Sequence, residues 1–263
     1  DKSRRILNLY VRPLDIRINK LNIPVLNEWK RGVSELDLKH RTKSNIYVTF
    51  KALLNWAVQN EYLPSNPLTK VPNFRDAYEH KKELRYYTPD EYIRYASSAW
   101  NIAVDIDFYD FYVFFAIAYY TGARKGEIHA LHWTDLRDNS IHITKSITQK
   151  LRGDDRETPP KNKSSNRVVQ LPEPLIDILA EHKERGKRYK GFNNDYYICG
   201  GIRPLRDSTL SKMNFRIASD AGLHHIRIHD FRHSHASLLA NNGVNILEIS
   251  RRLGHSNIEQ TLN

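Results

Sequence analysis

Cysteine and methionine are almost absent from this sequence: among 263 residues there is one of each, Cys199 and Met213. A single thiol excludes an intramolecular disulfide framework and a cysteine-rich zinc site, and it suits a reducing, cytoplasmic setting. Long apolar runs are missing as well. The most apolar stretch, Phe111 to Tyr120, is too short for a bilayer span and is flanked by Asp107, Asp110 and Arg124, so it reads as a buried helix and no membrane role is expected. Acidic residues are in deficit, 30 Asp and Glu against 41 Lys and Arg, a formal net charge of +11 that favours a polyanionic partner. There is no initiator methionine, and nothing near Asp1 resembles a signal peptide, so the chain is expected to be a fragment.

What is present is enough for real cores: 40% of the residues are hydrophobic. Pro64, Pro67, Pro72 and Pro89 bracket a charged run from Glu79 to Arg85, which reads as a linker. The expected organisation is a helical domain over 1–77, a linker over 78–88 and a larger domain over 89–263. Residues 1–83 hold 16 Lys and Arg against 9 Asp and Glu, so charge is densest in the small domain. There the pattern predicts helices over Ile6 to Asn19, interrupted by Pro13, and over Lys43 to Asn60, where Ile46, Phe50, Leu53, Leu54 and Ala57 share a face. After the linker, Thr88-Pro-Asp-Glu91 predicts a capped helix start, and Gly122 a helix end. Ser140 to Thr144 and Arg167 to Leu171 alternate like two antiparallel strands joined by a long basic turn. Helices are expected again over Leu175–Lys187, Ser208–Ala221, Phe231–Asn241 and Ile246–Leu253. The fold class expected is mainly α with a small antiparallel β-sheet.

Two clusters carry possible chemistry. In Thr121-Gly-Ala-Arg-Lys-Gly-Glu-Ile128, Arg124 follows a helix-ending glycine and Glu127 is placed to hold its guanidinium. In Ile228-His-Asp-Phe-Arg-His-Ser-His235, His229 and Arg232 sit three apart, so that on a helical turn one phosphate meets both a guanidinium fork and an imidazole able to move a proton. The histidines between His229 and His255 complete no recognised metal-ligand spacing, and no metal site is assigned.

The order of Thr-Gly-Ala-Arg124 with Glu127, a lysine in a β-turn, His229-x-x-Arg232 and Leu-Gly-His255 resembles the tyrosine recombinase, or phage integrase, family. The resemblance covers nearly the whole chain. Trp56-Ala-Val-Gln-Asn-Glu-Tyr-Leu-Pro-Ser-Asn-Pro67 resembles the end of that family's core-binding domain, and Gly126 to Leu136 the helix and Trp-x-Asp after its first catalytic arginine. The nearest likeness is to integrases of prophages and conjugative transposons.

The resemblance implies two domains forming a C-shaped clamp on double-stranded DNA at attachment sites, and strand cleavage and rejoining through a 3′-phosphotyrosyl intermediate for integration and excision of a mobile element. It implies catalytic roles for Arg124 and Arg232 on the scissile phosphate, for Lys163 as the β-turn lysine protonating the leaving group, with Lys161 as its close alternative, and for His229 and His255, with Glu127 supporting Arg124. No cofactor is implied, because arginines supply the positive charge. Expected DNA contacts are Lys39, Arg41, Lys43 and Lys51 in the small domain and Lys81, Lys82 and Arg85 in the linker. The implied partners are the DNA, three further copies in a tetramer on DNA, an excisionase or DNA-bending host proteins, and no membrane; as a fragment the chain is expected to be monomeric. The family's nucleophilic tyrosine lies about ten residues past the Leu-Gly-His motif, whereas none of the 15 tyrosines here follows His255. The chain as given is therefore expected to bind DNA without cutting it. A DNA-binding regulatory relative without catalysis is the alternative, and a metal-dependent nuclease or RNA-binding protein leaves the ordered motifs unexplained.

Overall fold

The computed structural model describes residues 2–75, 84–149, 155–158 and 166–254. The chain divides into two compact units, Asp1–Lys82 and Glu83–Asn263. The first is helical: α1 (Lys2–Tyr10), α2 (Ile23–Glu35) and α3 (His40–Gln59). Pro13 does more than interrupt the first helix. Helix α1 stops at Tyr10, and Arg12–Leu14 continue as a separate 3-10 turn, because proline lacks the N–H that the next helical bond needs. Helix α2 was not expected from the pattern. Asn22 caps it by accepting from the Val25 N–H at 3.1 Å, and Pro24 is harmless in its first turn. Leu26 and Trp29 of α2 pack on Ile46, Phe50 and Leu54 of α3, with the Trp29 ring edge-on to Phe50 at 4.9 Å. The buried Trp29 indole N–H donates to the Tyr10 carbonyl at 2.7 Å, tying α1 to that core.

The second unit opens with α4 (Pro89–Asp105), whose capping box has the expected form: Thr88 Oγ1 accepts from the Glu91 N–H and Glu91 Oε2 accepts from the Thr88 N–H. Tyr87 and Thr88, at the end of the expected linker stretch, belong structurally to this unit, and the Tyr87 ring is fully buried against Tyr95 and Phe231. Helix α5 (Asp110–Thr121) is apolar on every side and runs through the middle of the core, as an all-round hydrophobic helix must. After α6 (Lys125–His129) come β1 (Leu136–Arg137) and β2 (Ser140–Ile143), joined by Asp138 and Asn139, both at positive φ, 48° and 55°. Two such residues make a tight turn whose twist matches the strands, and Asp and Asn tolerate it.

Strand β2 pairs antiparallel with β5 (Arg167–Gln170), Ile143 opposite Arg167 and Ser140 opposite Gln170. The expected two-strand pairing is therefore present, within a three-stranded sheet ordered β1-β2-β5. A second sheet that the alternation did not reveal pairs β3 (Ser146–Thr148) with β4 (Arg156–Thr158). Helices α7 (Glu173–Lys187), α8 (Asp207–Asp220), α9 (Phe231–Asn241) and α10 (Ile246–Leu253) follow, near the expected bounds. The molecule is mainly α with small antiparallel sheets. No described helix is long and apolar enough to cross a membrane.

Candidate active site

The site forms where the ends of α5 and α10 meet. Gly122 terminates α5 in the left-handed region, φ 62°. A Cβ there would stand 2.5 Å from Leu253 Cδ2 and 2.8 Å from His235 Cδ2, so glycine is needed both for the backbone turn and for the approach of α9 and α10. The chain then turns into α6 with Arg124 at its N-cap. Glu127 sits one turn on and is buried, 5% exposed.

One carboxylate holds two arginines. Arg124 Nη1 donates to Glu127 Oε1 at 2.9 Å, and the Arg124 N–H donates to Glu127 Oε2 at 2.8 Å. Arg167, the first residue of β5, donates from Nη1 to Oε1 at 3.2 Å and from Nη2 to Oε2 at 2.8 Å. Burial alone would raise the Glu127 carboxyl. The hydrogen bond and charge of Arg167, followed by the bonds from Arg124, hold it below the ordinary carboxylate value.

Three arginines also converge on the end of α10. The last carbonyls of a helix have no intrahelical partner and sit at the negative end of its dipole. Here Arg167 Nε donates to the Arg252 carbonyl at 2.9 Å, Arg232 Nη2 to that of Leu253 at 2.6 Å and Arg124 Nη2 to that of Gly254 at 3.1 Å. Arg232, on α9, is 4% exposed and also donates from Nη1 to the Gly122 carbonyl at 2.8 Å. Burial, with the nearby charges of Arg124 and Arg167, pushes the Arg232 guanidinium down to about 9. Three cations facing one carboxylate leave the site short of negative charge, which is what an anionic ligand would supply.

His229 lies in the turn that leads into α9, with the His233 ring edge-on to it at 5.9 Å. It is exposed at the mouth of the site, yet crowding removes enough water, and Arg232 and His233 add enough positive charge, to lower its imidazole below the ordinary value. Arg124 and His229 line a common groove of about 830 Å³ together with Lys125, Asp207, Phe215 and Arg227. On its wall, Asp207 accepts from Lys125 Nζ at 2.5 Å and pairs with His129 Nε2 at 2.8 Å, the histidine bond first and the lysine next holding the carboxyl down to about 2.

The structure thus brings together four of the residues singled out in the sequence, Arg124, Glu127, His229 and Arg232. Lys161, Lys163, His255, Lys81 and Lys82 lie outside the described residues. In the first unit Lys39 and Arg41 are exposed and Lys51 half-buried, while Lys43 Nζ is drawn back to the Ser34 carbonyl at 2.6 Å; Arg85, in the second, is exposed. Arg167 was missed. Its signal was the strand alternation itself, which sets residue 167 on the face of Val169 and Leu171, both buried, and a buried arginine must find an acid. Among the described residues no group of three or more His, Cys, Asp or Glu is arranged to hold a metal ion.

Residues 98–263 match the phage integrase family. The chain belongs to that family. The ICEBs1 integrase of Bacillus subtilis is 28% identical over 99% of this chain and 71% of its own length. A XerC-like tyrosine recombinase of Caldanaerobacter subterraneus is 31% identical over 81% of this chain and 59% of its own. The chain spans between 55% and 73% of the length of the curated relatives it matches. Among solved structures, the Tn1549 transposon integrase in complex with a circular intermediate DNA superposes with a TM-score of 0.77 at 21% identity, covering 99% of this chain and 86% of that one. A lambda integrase dimer bound to a core site gives 0.67 at 16% identity, covering 100% and 86%. The fold of this phage integrase family member is therefore shared with proteins solved on DNA.

Proposed function

We propose that this chain is the DNA-gripping and catalytic part of a site-specific recombinase, and that Arg124 and Arg232 bind the non-bridging oxygens of the scissile phosphodiester of double-stranded DNA. The observation that carries the reading is the convergence of Arg124, Arg167 and Arg232 on one helix end, the first two also on the Glu127 carboxylate, a fixed excess of positive charge beside His229. Guanidinium forks fit phosphate oxygens and need no reorganisation when charge builds on a pentacoordinate phosphorus. The attacking oxygen is a tyrosine phenolate, which forms a 3′-phosphotyrosyl bond as the P–O5′ bond breaks, and the leaving oxygen takes a proton to become a free 5′-hydroxyl. In this reading Lys163, or Lys161 beside it, gives that proton, and His255 binds the phosphate or positions the nucleophile. The lowered His229 imidazole is neutral at pH 7 and so can accept the phenol's proton.

The tyrosines buried in the core are unsuited to the attack. Desolvation pushes the phenols of Tyr87 and Tyr119 up to about 12 and holds those of Tyr92 and Tyr95 well above the usual value. Lys39, Arg41, Lys51 and Arg85 are proposed to meet DNA phosphates. Assembly as a tetramer on paired duplexes and use of an excisionase follow from the same reading. The test is to incubate the complete product of its gene with its attachment-site duplex and a chelator. An SDS-resistant adduct joined through tyrosine to a 3′-phosphate is expected; a strict need for magnesium with no adduct would overturn the reading.

A further inference from the structure

Glu127 poses an electrostatic problem for the phosphate grip. A carboxylate that pairs with Arg124 alone cancels the charge that Arg124 must offer to a phosphate. The pair would then be a closed, neutral unit, and a buried one gains little from opening. The structure removes the difficulty with a second guanidinium. Arg167 takes Glu127 in a bidentate fork at 3.2 and 2.8 Å, the planar geometry in which arginine binds carboxylate most strongly. Both partners are nearly dry, with side chains 6% exposed, so this pair is screened little by solvent. Arg124 is the outer member, with its side chain 36% exposed and facing the groove.

Resting on the phosphate-gripping reading, we propose that Arg167 is a positioning residue of this active site: it neutralises Glu127, so that Glu127 aims Arg124 without spending Arg124's charge. The third bond of Arg167, from Nε to the Arg252 carbonyl, fixes the end of α10 against the same carboxylate. The carbonyls that receive Arg232 and Arg124 are the next two in the chain. One side chain thereby sets both the charge of the site and the place of the helix end on which all three arginines rest. Lysine would keep the charge but lose the fork. Glutamine would keep donors but leave Glu127 to Arg124 alone.

The test uses inorganic phosphate as the probe, titrated into the 263-residue chain at constant ionic strength and followed by the guanidinium Nε–Hε resonances of Arg124 and Arg232. Arg167→Gln is expected to weaken phosphate about tenfold, Arg167→Lys to stay within about threefold of the wild type, and the double variant Arg167→Gln/Glu127→Gln to recover most of the loss, since the uncompensated carboxylate is gone. An Arg167→Gln protein that binds as the wild type does, or a loss that Glu127→Gln does not repair in a folded double variant, overturns the inference. If Arg167→Gln alone fails to fold, the double variant carries the decision: binding within about threefold of the wild type supports the role, and binding tenfold weaker refutes it. A wild-type chain whose Arg124 and Arg232 signals ignore phosphate would instead overturn the phosphate-gripping reading itself.

Discussion

His229 shows how much a residue's surroundings decide its chemistry. A free imidazole near its usual pKa of about 6.5 is half protonated at mildly acid pH. Crowding that strips part of its water, together with the positive charge of Arg232 and His233, lowers His229, so its neutral, proton-accepting form persists below that pH. Because the base is lost only as pH falls through the lowered value, the acid limb of strand cleavage should lie below about pH 6.5. A pH profile of adduct formation checks this, and the limb should vanish from a slowed His229→Gln variant. At this same scale the motif residues, which the structure brings together, were legible, because Arg124 with Glu127 and His229 with Arg232 stand within short, recognisable spacings. Arg167 was not. Its carboxylate partner stands 40 residues away in sequence, on another element, so no local spacing reveals the pair.

At the scale of elements, the helix starts were the most legible features, since a cap such as Thr88 with Glu91 is a local bargain between side chain and backbone. Helix α2 was less so, because Pro24 and Gly32 suggest a break. The proline falls in the first turn and the glycine lies in open space, so neither breaks it. The join of α5, α9 and α10 supports two predictions. Gly122→Ala meets a positive φ and two side chains within 3 Å, and should cost about 2 kcal/mol or more in chemical denaturation while loosening the end of α10. His235, whose Nε2 accepts from Arg252 Nε at 3.2 Å, ties α9 to α10, and burial followed by the Arg252 charge pushes its imidazole down to about 3.

The sign of the His235 effect follows from linkage. Between about pH 6.5 and pH 3 the unfolded chain binds a proton at this ring and the folded chain does not, so stability falls as pH falls through that window, by up to about 1.4 kcal/mol per pH unit. Denaturation midpoints measured from pH 7 to pH 4 should fall more steeply in the wild type than in His235→Gln. Equal slopes would remove His235 from the account. Asp207, held down to about 2, acts lower on the scale. Its contribution is present above about pH 4 and is lost as pH falls from there toward 2.

For the whole molecule the controlling quantity is charge. A net +11, densest in the first unit, predicts DNA affinity dominated by phosphate contacts and counterion release. If about six phosphates are neutralised, affinity should drop roughly 10³-fold between about 50 and about 200 mM salt, read by fluorescence anisotropy of a labelled duplex. A flat response would show that the basic surface does not face DNA. The broad fold class and most of the second unit's helices were readable from composition and periodicity. The second sheet was not, because its three-residue strands, Ser146–Thr148 and Arg156–Thr158, are too short for alternation to register and are held by pairing with each other.

In the proposed reaction two arginines anchored on the end of α10, the buried Arg232 and the half-buried Arg124, meet the negative charge of one phosphate. This is tested most directly by removing that charge from the DNA. In the complete gene product, Arg232→Ala should fail to cleave an attachment-site duplex, and should regain cleavage when a methylphosphonate replaces the scissile phosphate, because the neutral linkage no longer needs the guanidinium. An Arg232→Ala protein equally inert on both substrates, with the wild type active and the variant folded, would contradict the account.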